Sequence, residues 1–118
     1  MKHPVTFWIG ESLQGIAHTP AGWRLSFGAA GALTLHCLWR VLEGGRIVLA
    51  SRDGPAAKIE AEAKKLLLGR KVTAAQVAED TRDIVLTFEG GVTFQAINDS
   101  ALHDAWQGEF TMPPQDNK

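Results

Sequence analysis

A chain of 118 residues with 45% apolar and 21% charged residues is long enough to bury one core of its own, which excludes a disordered chain. The formal net charge of -1 excludes charge-driven binding to nucleic acid or to an anionic membrane, both of which need a concentrated excess of Lys and Arg. The single cysteine, Cys37, allows no internal disulfide, and no apolar run is long enough for a signal core or a membrane span, so a soluble, cytoplasmic protein is expected.

In chain order, Val5 to Ile9 is rich in β-branched and aromatic residues and predicts an edge strand, with a second short strand over Leu13 to Thr19. "TPAG" at Thr19 to Gly22 predicts a turn. Trp23, Leu25 and Phe27 then alternate against Arg24 and Ser26, and Leu33, Leu35 and Cys37 against Thr34 and His36, around a "GAAG" loop. That is the pattern of a half-buried hairpin. The alternation runs on through Trp39 and Val41 to "EGG" at Glu43 to Gly45, predicting one long strand, and Arg46 to Ala50 returns as another.

"SRDGP" at Ser51 to Pro55 breaks the sheet, with Pro55 in a first helical turn and Asp53 or Gly54 as its cap. From Ala56 the period becomes helical. Ala56, Ile59, Ala63, Leu66 and Leu67 share one stripe, and Glu60 and Lys64 are spaced for an ion pair. Gly69 suits the left-handed position past the helix end, giving a helix over about 55–68. Strands follow at Val72 to Ala78, Ile84 to Phe88, Val92 to Ala96 and Ala105 to Thr111. Residues 112–118, Pro-rich and polar, read as a flexible tail to a single globular domain at 1–111.

The two hairpins match. Trp23, Leu25 and Phe27 correspond to Ile84, Leu86 and Phe88, and Leu33, Leu35 and Cys37 to Val92, Phe94 and Ala96. Upstream, Gly10 and Leu13 correspond to Gly69 and Val72. The expected fold is α+β: a mostly antiparallel sheet of six to eight short strands, built from two similar hairpin units at about 10–50 and 69–111, with the helix between them.

No catalytic constellation emerges. His36 and Cys37 are neighbours on a strand and face opposite ways, and His3, His18 and His103 lack ligand spacing, so no metal or cofactor is expected. Cys37 lies on an apolar face, which favours burial over nucleophilic chemistry. "DSALHD" at Asp99 to Asp104 holds Ser, His and Asp, but no nucleophile elbow surrounds Ser100, and a turn cap is the plainer reading. Glu43 and Glu89 sit at Gly-Gly turns as solvated side chains.

Four tryptophans remain. Trp23 falls on the core face, and Trp106 stands between polar "LHD" and "QGE", so a partner surface of His103, Asp104, Trp106 and Glu109 is expected.

The run "AKKLLLGRKVTAAQV…DIVLTFEGGVTFQAI…HDAWQ" resembles small bacterial proteins of unknown function, some of them immunity-protein-like. The resemblance is carried by Leu67, Leu68 and Gly69, by Val72, by Leu86, Phe88 and Gly91, and by Asp104 and Trp106. Trp39, Gly45 and Asp53 extend it into the first half, so it spans Trp39 to Gln107. His103 departs from the pattern, which usually has an aromatic before the acid. The resemblance implies a possible toxin-inhibiting role and carries over no catalytic residues.

The functional expectation is a non-enzymatic protein-binding domain with a protein partner or self-association. The alternative is a small-molecule or enzymatic pocket between the two repeats.

Overall fold

The computed structural model describes residues 4–99 and 105–110. The fold is α+β, mostly strands, in two antiparallel sheets with one helix. The strands are β1 (Gly15–Thr19), β2 (Gly22–Ser26), β3 (Gly31–Leu35), β4 (Leu38–Glu43), β5 (Arg46–Ala50), β6 (Val72–Val77), β7 (Ile84–Phe88), β8 (Val92–Ile97) and β9 (Trp106–Phe110). The helix α1 (Ala56–Leu67) stands between β5 and β6.

One sheet has four strands in the order β1-β2-β3-β9, and the other five in the order β5-β4-β8-β7-β6. The four-stranded sheet takes β1 to β3 from the first half of the chain and β9 from the second, and the five-stranded sheet takes β6 to β8 from the second half and both β4 and β5 from the first. Residues 10–13 and 69–72 join the halves through reciprocal backbone bonds. Gly10 N–H donates to Val72 O at 2.7 Å and Gly69 N–H to Leu13 O at 2.9 Å. Leu13 N–H donates to Arg70 O at 3.0 Å and Val72 N–H to Glu11 O at 2.9 Å. Exchanging the two segments carries this pattern onto itself.

Alternation sends one side chain of each pair inward, and the inner faces of both sheets share one core. Leu25, Leu33 and Leu35 enter it from the four-stranded sheet, and Trp39, Val41, Leu86 and Phe94 from the five-stranded one. Trp23 and Trp39 meet edge-to-face at 5.1 Å across the gap. The Trp39 indole N–H is buried with no hydrogen-bond acceptor among the described residues, and its ring packs against those of Trp23 and Phe94.

The helix buries Ile59, Ala63 and Leu67 in the same core. Its Glu60 carboxylate accepts the His18 backbone N–H at 3.0 Å and thereby caps edge strand β1. The Glu60–Lys64 pair forms at 3.2 Å, and Gly69 takes a φ of +83° past the helix end. Arg70 Nε donates to Leu66 O at 2.7 Å, satisfying a terminal carbonyl.

Four expectations are corrected. Residues Pro4–Trp8 form a 3-10 turn and not an edge strand, because Trp8 is drawn between the rings of Phe27 and Phe110. The long strand through Trp39 is two strands, since the chain crosses from one sheet to the other at His36 and Cys37. The helix N-cap is Pro55, with no side-chain bond to the helix, and Asp53 instead accepts the Ala50 N–H at 2.8 Å.

The hairpin equivalences also shift. Trp23 pairs with Leu35 but Ile84 pairs with Ala96, so the expected matches of the two hairpin strands do not hold together and one strand is offset by two residues. The reason is loop length. Ser26 closes on Ala32 across residues 27–31, and Phe88 on Val92 across only residues 89–91.

Candidate functional site: the outer face of the five-stranded sheet

Of the residues expected at a partner surface, Trp106 faces the core and Glu109 faces solvent. Trp106 is only 7% exposed. Its Nε1 donates to Arg82 O at 2.8 Å, and the Arg82 guanidinium lies 4.8 Å from its ring centre. The alternation of β9 explains this: Trp106 and Phe110 point inward while Gln107 and Glu109 point outward. Glu109 is exposed and paired with Arg24 at 3.1 Å, which holds its carboxyl below the usual range. His103 and Asp104 lie outside the described residues, as do Ser100, His3 and the tail.

All three other tryptophans are buried too, with Trp8 at 0% and Trp39 at 1%. Cys37 sits half-buried at the crossing between the sheets. Burial pushes its thiol up to about 11, the nearby charge of Asp99 adding to the effect. The folded chain therefore holds this proton more tightly than the unfolded one. The expected result is slow alkylation by iodoacetamide at pH 8, rising about tenfold per pH unit toward pH 11. The linked stability is present below the ordinary thiol value of 9.0 and is lost as pH rises toward about 11. A rate at pH 8 equal to that of a free thiol would contradict the burial. Among the described residues no three His, Cys, Asp or Glu side chains gather as a metal site, and no helix is long and apolar enough to cross a membrane.

What does stand out is the outer face of the five-stranded sheet. The registers align its side chains in cross-strand rows. The first row is Ile47, Leu42, Thr93, Thr87 and Ala74. The second is Ala50, Arg40, Gln95, Val85 and Gln76, and Leu38 opposite Ile97 begins a third. Arg40 carries the only ionisable group in these rows, and its Nε donates to Gln95 Oε1 at 2.6 Å. On edge strand β5, Ile47 is 55% and Val48 44% exposed. The buried side chains of α1 and of the N-terminal turn join the core between the sheets, so neither element is laid over this face. The four-stranded sheet is different outside. There Arg24, Thr34 and Gln107 form one row, and Glu109 reaches across to Arg24.

A second concavity of about 370 Å³ lies between the outside of β1 and β2 and the end of α1. Ile16, Ala17 and Leu68 line it together with Gln14, Ser26, Arg24 and Lys64.

The outward positions Val85, Thr87, Thr93 and Gln95 could be read from alternation alone. Their assembly with β4 and β5 into one surface could not, because it depends on strand order. Comparison with protein-family models, curated proteins and solved structures finds no match.

Proposed function

We propose that the protein is a non-enzymatic protein-binding domain that docks its partner on the outer face of the five-stranded sheet. The observation that carries this reading is a broad sheet surface whose aligned rows hold one charge, Arg40, hydrogen-bonded to Gln95, with two large apolar side chains, Ile47 and Val48, left in water at its edge. Masking a toxin, the role implied by the resemblance to immunity-like proteins, would use a face of this kind, since it calls for area and shape and for no chemistry of its own. The test is site-specific photo-crosslinking in cells, with the reactive group at Thr93 or, as a control, at Thr34 on the opposite sheet. Protein adducts at Thr93 and none at Thr34 are expected. Adducts at Thr34 alone would overturn the reading.

The concavity beside α1 favours a second reading, a small-molecule site. An apolar lining beside Arg24 and Lys64, whose charges are already met by Glu109 and Glu60, suits a mainly apolar ligand, and its volume falls within the range of ligand pockets. It lies between the first hairpin and the helix, not between two hairpin units. Octanoate would then shift the backbone amide signals of Ala17 and Leu68. Unmoved signals at millimolar octanoate would remove this reading.

We also propose that the two halves, about 10–50 and 69–111, descend from one duplicated unit. The reciprocal bonds between residues 10–13 and 69–72, and the way the third strand of each hairpin unit pairs with a strand from the other half (β3 with β9, β8 with β4), support it. Gly10 and Gly69 are then equivalent. Both have a positive φ, +92° and +83°, and both have open space where a Cβ would point. Gly10→Ala and Gly69→Ala should each cost about 1–2 kcal/mol, from backbone conformation alone. Urea denaturation checks this, and costs that differ by more than about 1 kcal/mol would count against the equivalence.

A further inference from the structure

We infer that the occupant of the outer face is a second copy of this chain, giving a homodimer that stacks sheet on sheet about a two-fold axis. This rests on the protein-binding reading of that face and names the partner.

Charge comes first. A surface that meets its own copy meets its own charges, so a self-binding face must avoid like-sign clusters. Here Arg40 is the sole ionisable group in the rows, and Gln95 holds it. The four-stranded sheet, with Arg24 and Glu109 outside, offers a charge pattern for a foreign partner to read, and the five-stranded face does not.

Shape points the same way. Two sheets with the same twist pack face to face at about 30°, roughly 10 Å apart, and any twisted sheet is a suitable neighbour for its own copy. Thr93, Thr87, Val85 and Ala74 are short enough to permit that approach. Edge-to-edge addition at β5 is disfavoured, because Val48 bulges out of the ladder between the Leu42–Ile47 and Val41–Leu49 pairs. A face-on neighbour covers Ile47 regardless of the bulge.

Area sets the strength. Five strands about 4.8 Å apart, with about 17 Å of useful length, give on the order of 1,000 Å² buried over both copies once side-chain relief is included. That only reaches the lower bound for a specific interface, which fits a weak, concentration-dependent dimer.

The experiment is sedimentation velocity on the whole chain from about 1 μM to 1 mM. The weight-average mass should rise from 12.8 kDa toward twice that value. Thr93→Lys at the centre and Ile47→Lys at the edge should each weaken the dimer at least tenfold, and Thr34→Lys should leave it unchanged. Circular dichroism monitors folding of each variant. Ile47 is 55% exposed and tolerates Lys even if the Thr93 variant does not fold. A wild-type monomer across the whole range would overturn the homodimer. It would leave the protein-binding reading standing if Thr93 still crosslinks to a foreign protein. A dimer indifferent to both face substitutions would place the contact elsewhere and overturn the homodimer on this face, with crosslinking at Thr93 still deciding the docking reading.

Discussion

Replacing Trp8 with Ala should lower the unfolding free energy by about 4 kcal/mol and the melting temperature by about 15–20 °C. Trp8 is fully buried. Its ring stacks on Phe27 at 4.6 Å and on Phe110 at 4.7 Å, and its Nε1 donates to Ala30 O at 3.1 Å. One side chain therefore ties the N-terminal turn to the loop after β2 and to β9. Truncation removes the packing of a large aromatic and leaves a cavity whose two facing rings are held by different elements, so the site collapses poorly. Trp8→Phe keeps the stacking and loses the hydrogen bond and some volume, and should cost about 1–2 kcal/mol. Thermal and urea denaturation followed by circular dichroism give both values. A cost for Trp8→Ala below about 1 kcal/mol would mean that the turn is not part of the cooperative unit.

Trp8 also marks where sequence pattern stops being informative. Val5 to Ile9 has the composition of a strand, and nothing local announces that two rings from distant segments will enclose Trp8. Tertiary packing overrides propensity there. The helix and the β7–β8 hairpin were legible because their apolar periods are long and unbroken. The break between β3 and β4 was hidden for a geometric reason. Leu33 and Leu35 point into the core from one sheet, and Trp39 and Val41 point into the same core from the other. The alternation therefore keeps its phase through His36 and Cys37 while the chain changes sheets. Trp106 was misread because its polar neighbours drew more weight than the in-out pattern of its own strand, a signal that was present in "WQGEF". The outer face needed strand order, which comes from pairings between residues as far apart as Leu38 and Ile97.

Gly31→Ala should cost more than about 3 kcal/mol, well above the cost expected at Gly10. At both positions φ is positive, +118° at Gly31 and +92° at Gly10, and Gly31, with a ψ of -159°, lies in a region that essentially only glycine enters, with a conformational penalty of about 1–3 kcal/mol. The neighbour adds to the difference. At Gly10 a Cβ meets nothing, whereas at Gly31 it would overlap the carbonyl of Glu109, a backbone group that cannot swing away as a side-chain end can. Strand β9 would have to retreat where Gly31 faces Phe110 and Ala32 faces Glu109, and the nearby ladder bonds would lengthen or break at about 1 kcal/mol each. The Arg24–Glu109 pair, exposed on both sides, adds little to this sum. Urea denaturation of the two variants measures the difference, and hydrogen exchange at the Gln107 and Glu109 amides, which face β3, locates it. Equal costs at Gly31 and Gly10 would mean that β3 and β9 do not approach this closely. Because β9 is the strand that the second half lends to the first half's sheet, a large cost at Gly31 with faster exchange along β9 would identify strand lending as a principal tie between the halves.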